Sequence, residues 1–112
     1  MKLVGKHVLV LGLGESGLAM ARWCLRQGAR VRVADSRAEP PCLGALRRRA
    51  EAAEFVQSRF DDRFDKAMLA DIDLVALSPG LSGGLMPVLH ARANGVPVIG
   101  EIELFAWGLE QL

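Results

Sequence analysis

Val8-Leu9-Val10-Leu11-Gly12-Leu13-Gly14-Glu15-Ser16-Gly17 is an apolar run that breaks into three glycines spaced G-x-G-x-x-G and passes into a helical pattern. A parallel strand buried on both faces hands over to a phosphate-binding turn in this way. Gly12 permits the tight turn, Gly14 omits the side chain that would hold a diphosphate off the backbone, and Gly17 lets the next helix lie close to the strand. Ser16 is expected to cap that helix, whose first N–H groups and positive dipole end face the anion. Glu15 carries a carboxylate that would repel a diphosphate, so only its backbone N–H is expected to serve.

Outward from this turn, strands and helices alternate. Residues 7–11 read as the first strand and 16–27 as the first helix, with Leu18, Ala21 and Leu25 on one face, Arg22 and Arg26 on the other, and Gly28 as the stop. Val31-Arg32-Val33-Ala34 is a second strand that ends at Asp35-Ser36-Arg37, before a turn marked by Pro40-Pro41. A helix over 43–53 turns Leu43, Leu46, Ala50 and Ala53 inward and pairs Arg47 with Glu51. Residues 54–57 form a short third strand, and 61–70 a charged loop with one weak helix. The run 73–77 is a second apolar strand, ending at Ser78-Pro79-Gly80. A helix from Pro87 to Asn94 closed by Gly95, a strand over 97–99 and a helix over 101–112 complete the order. This alternation specifies an α/β fold, a Rossmann-like doubly wound sheet of about five parallel strands in a three-layer α-β-α arrangement. Ligands on such sheets bind beyond the carboxyl ends of the strands, where strand order reverses, so the loops at 12–17, 35–37 and 78–80 should converge on one crevice.

Composition narrows the partners. The 112 residues fit one domain, and 51% hydrophobic content supplies a core. A net charge of +1 gives no field that would recruit nucleic acid or an acidic membrane. No apolar stretch approaches the ~20 residues of a membrane span and the first residues are not a signal peptide, which points to a cytoplasmic protein. Cys24 and Cys42 show no CxxC spacing and are expected as reduced thiols, and His7 and His90 lack neighbours that would make a triad or a metal site. No catalytic residue and no metal ligand is expected in these residues.

What fills the crevice is open on spacing alone. Asp35 follows Gly17 by 18 residues, where a dinucleotide enzyme places the carboxylate that holds the adenosine ribose, so an NAD(P)-binding oxidoreductase domain is favoured by position. An Asp at a strand end can also merely cap the next turn, and a non-catalytic nucleotide-sensing module remains a further reading.

Gly12-Leu13-Gly14-Glu15-Ser16-Gly17, Val33-Ala34-Asp35-Ser36-Arg37, Asp73-Leu74-Val75-Ala76-Leu77-Ser78-Pro79-Gly80 and Gly100-Glu101-Ile102-Glu103-Leu104-Phe105 together resemble the amino-terminal domain of the Mur ligases, and most closely its D-glutamate-adding members. The resemblance spans essentially the whole chain. It implies that residues 1–112 are a single domain binding the UDP part of UDP-N-acetylmuramoyl-L-alanine in peptidoglycan precursor synthesis, inactive alone and monomeric. ATP, Mg2+ and the ligation itself would belong to central and carboxyl-terminal domains. The diphosphate is carried onto Gly14, the backbone of Glu15 and Ser16 and the Ser16 hydroxyl. The uracil is carried onto Asp35, Ser36 and Arg37, with Gly80 closing against the ring. Ser36 departs from the threonine common there, keeping the hydroxyl and losing a methyl. No G-x-x-G-K-S/T loop for ATP phosphates occurs in the sequence. The apolar face Ile102, Phe105, Leu109 and Leu112 of the last helix suggests a domain excised from a longer protein.

Overall fold

The computed structural model describes residues 2–109. Strands β1 (His7–Leu11), β2 (Arg30–Asp35), β3 (Glu54–Gln57), β4 (Leu74–Leu77) and β5 (Val98–Gly100) are all parallel and lie in the order β3-β2-β1-β4-β5. Between them run α1 (Glu15–Arg26), α2 (Leu43–Arg49), a 3-10 turn (Lys66–Leu69), α3 (Met86–Ala93) and, last, α4 (Glu101–Leu109). The expected α/β architecture is therefore present, with its strand order reversing between β1 and β4.

β1 sits at the centre because every one of its side chains is apolar or shielded. Val8 and Val10 enter a core shared with Met20 and Cys24 of α1, Leu43 and Leu46 of α2 and Leu104 of α4. Leu9 and Leu11, pointing the other way, join Met68 of the 3-10 turn and Val88 and Ala91 of α3. Two cores, one on each sheet face, make the three layers. Pairing is level at the carboxyl ends: Leu11 lies opposite both Ala34 and Leu77, and Asp35 opposite Gln57. The loops that leave β1, β2, β3 and β4 thus emerge side by side. No helix among the described residues is long and apolar enough to cross a membrane. Both cysteines are free, and burial pushes the Cys24 thiol up to about 12, which keeps it protonated and inert.

Several local expectations change. The first helix starts at Glu15 with Gly14 as its N-cap and no side-chain cap, so Ser16 stands in the first turn instead of capping it. Its buried face is Gly17, Met20, Ala21 and Cys24, with Leu18 and Leu25 only half-covered, because the glycine contact sets which side meets the sheet. α2 stops at Arg49, since the chain must turn at Ala50 to enter β3; Glu51 lies beyond it and no Arg47–Glu51 ion pair forms. On α4 the apolar face read from the sequence stays largely outside, with Ile102 and Leu109 85% and 60% exposed and Phe105 half-covered, and the inward residues are Leu104 and Gly108. Gly108 lies against the Trp23 indole, where a Cβ would come within 2.3 Å of the ring, and Trp23 meets Phe105 edge-on at 5.4 Å. This close approach, and not the apolar stripe, orients the helix; Leu112 lies outside the described residues.

Candidate functional site

At the carboxyl ends of the strands, beside the β1/β4 reversal, lies an open cavity of about 480 Å3. The glycine turn forms its floor. Gly12 has φ of +92°, and a Cβ there would press on Ser78 and Leu81 at about 3 Å. A Cβ on Gly17 would stand 1.9 Å from the Gly12 carbonyl oxygen, so helix and strand can meet only at a glycine. A Cβ on Gly14 would meet nothing within 4 Å; the space in front of it is clear for a ligand. The three glycines thus have the three separate tasks that their spacing announces.

The turn is held from both sides. The Ser78 hydroxyl donates to the Gly12 carbonyl at 2.9 Å, tying the loops of β4 and β1 together across the reversal. On the other side Asp35, only 2% exposed, accepts from the Leu13 N–H at 2.8 Å through Oδ2. The same carboxylate accepts the Arg37 N–H and Nε through Oδ1, each at 2.9 Å, and Arg37 Nη2 through Oδ2 at 2.8 Å. Burial pushes the Asp35 carboxyl up, but the Arg37 guanidinium, the Arg37 N–H and the Leu13 N–H outweigh it and hold it below the usual carboxylate range. Four donors fill the roughly four lone-pair sites of a carboxylate. A ribose hydroxyl or an imide N–H could bond Asp35 only by displacing one of them.

Arg37 is more than half exposed beyond this fork, so its guanidinium is held at one edge while much of the side chain stays uncovered. Glu15 and Ser16 open α1, where the first backbone N–H groups have no acceptor within the helix, and both residues line the cavity. The Glu15 side chain is exposed. Of the residues singled out in the sequence, Gly14, Glu15, Ser16, Asp35, Ser36 and Arg37 line this one cavity. Gly80, with φ of +90° and open space where a Cβ would be, stands on the rim between the lining residues Pro79 and Leu81. Phe60 and Leu81 also line it, and the sequence reading singled out neither. Phe60 falls three residues beyond β3, so its place after a parallel strand was the signal available.

Residues 6–100 match the family described as Mur ligase MurD-like, N-terminal domain. The chain belongs to that family. Among its relatives, the UDP-N-acetylmuramoylalanine–D-glutamate ligase of Aromatoleum aromaticum is 54% identical over 98% of this chain, and that of Dechloromonas aromatica 52% identical over 99%. In each case the chain spans only 23% of the relative's length. The fold is shared more widely. UDP-N-acetylmuramate-alanine ligase MurC from Thermotoga maritima superposes with a TM-score of 0.70 at 21% identity over 94% of this chain and 23% of its own. The apo-structure of D-lactate dehydrogenase from Escherichia coli gives 0.60 at 23% identity, over 89% and 29%. The fold is therefore shared by a Mur ligase and a dehydrogenase, and the MurD-like assignment rests on sequence.

Proposed function

We propose that the cavity holds the UDP part of UDP-N-acetylmuramoyl-L-alanine, and that the chain serves as the nucleotide-binding domain of an ATP-dependent ligase adding D-glutamate to that substrate. The observation that carries the reading is the joint placement of the open helix end at Glu15 and Ser16 and the plate of Arg37 around one cavity. The diphosphate lies over Gly14 on the N–H groups of Glu15 and Ser16, with the Ser16 hydroxyl as a further donor. The uracil lies against Ser36 and the Arg37 guanidinium, and Gly80 on the rim leaves room beside the bound ligand. Asp35 serves the base indirectly, by holding that guanidinium in place. The same engagement weighs against direct ribose contact by Asp35, since a hydroxyl could bond it only by displacing a present donor.

ATP and Mg2+ do not fit these residues. The sequence holds no G-x-x-G-K-S/T loop, and among the described residues no three His, Cys, Asp or Glu side chains group to hold a metal. On this reading both act on the remaining part of a longer protein, where ATP activates the substrate carboxyl for attack by the D-glutamate amine. This domain contributes binding and orientation. Isothermal titration with UDP-N-acetylmuramoyl-L-alanine tests the proposal: weak saturable binding that free UDP displaces is expected, and no binding at millimolar ligand would overturn it.

A further inference from the structure

We infer that Phe60 is the platform on which the nucleobase lies, and so the residue that makes the cavity prefer a nucleoside diphosphate to a bare diphosphate. This rests on the nucleotide reading above and adds to it a residue placed by the fold. The strand tips follow one another as β3, β2, β1 and β4, so the lining runs in order from Phe60 through Asp35, Ser36 and Arg37 to the glycine turn and then Ser78 and Pro79. Neighbouring strands are about 4.8 Å apart, which sets the β3 tip roughly 10 Å from the β1 turn. A nucleotide with its phosphates on α1 and its sugar passing over β2 carries its base toward β3. Phe60 is what stands there.

Its surroundings suit that task. The ring packs at the margin of the core built around Leu9 and Leu11 and is only half-buried, so its position is anchored while part of it borders the cavity. It is the one aromatic side chain among the described lining residues, and it makes no ring contact with another aromatic among the described residues. Phe64, four residues on, is turned away into contact with His90. An apolar ring face takes a pyrimidine by stacking without choosing among bases, and leaves selection to the polar groups of Ser36 and Arg37.

The test compares Phe60→Leu, which keeps the anchoring bulk, and Phe60→Trp, which keeps an aromatic face, with the unaltered chain. Phe60→Leu is expected to weaken UDP about tenfold, with inorganic pyrophosphate binding unchanged, and Phe60→Trp to restore UDP. In proton NMR the uracil H5 and H6 signals are expected to move upfield on binding to the unaltered chain and to lose that ring-current shift with Phe60→Leu. A leucine variant that binds UDP as tightly, with the same H5 and H6 shifts, would overturn the inference and leave the nucleotide reading standing. Failure of the unaltered chain to bind UDP would overturn both.

Discussion

Asp35 joins the two halves of the cavity. Its carboxylate holds the Leu13 N–H of the glycine turn and the Arg37 guanidinium at once, so a change at one end reaches the other. Asp35→Asn keeps the shape and loses the charge; it is expected to cost about 2 kcal/mol in urea denaturation and to weaken UDP. The folded carboxyl titrates below its ordinary value of 3.8, so its contribution is complete above that pH and is lost as pH falls through the lower folded value. Acid unfolding of the Asn variant should accordingly show a shallower fall in stability below about pH 4. The glycines divide the same way between binding and folding. Gly17→Ala forces a Cβ onto the Gly12 carbonyl and is expected to lower stability by at least about 2 kcal/mol. Gly14→Ala has room, so thermal melting should change little while UDP titration shows a clear loss. Equal effects of both alanines on melting would contradict this division. The glycines were legible in sequence because each task is local. The engagement of Asp35 was not, since its partner Leu13 lies 22 residues away and the bond exists only once β1 and β2 pair.

Among the elements, β2 is tied to its neighbours by the largely covered side chain of Arg32. Arg32 reaches from the sheet to donate to Glu54 at 2.6 Å, to the Met68 carbonyl at 2.9 Å and to the Ala70 carbonyl at 3.1 Å. It thereby stitches β3 and the end of the 3-10 turn onto β2. Arg32→Ala is expected to cost about 1–2 kcal/mol in urea denaturation. The strands and α1 were readable from periodicity and glycine stops: Gly28 and Gly95, at φ of +84° and +77°, follow α1 and α3 where expected. The inward faces of α1 and α4 were less readable. Each is set by a glycine at a close approach, Gly17 on the Gly12 carbonyl and Gly108 on Trp23; the glycine motif announced the first, and amphipathic spacing carries no trace of the second.

At the scale of the whole molecule, the strand order puts four loops around one reversal, and this placement converts separate motifs into a site. The sequence announced the loops of β1, β2 and β4 through glycine, Asp-Ser-Arg and Ser-Pro-Gly. The loop of β3 stayed silent because its aromatic residue sits in a charged stretch after a half-covered edge strand. The fold alone does not choose the ligand, since a dehydrogenase shares it at a TM-score of 0.60. Parallel titrations of one isotope-labelled sample with UDP and with NAD, followed by the amide signals of Gly14, Glu15, Ser16 and Arg37, make that choice. Saturating shifts at all four amides with UDP, and markedly weaker binding of NAD, are predicted; NAD binding as tightly as UDP at the same amides would contradict the account.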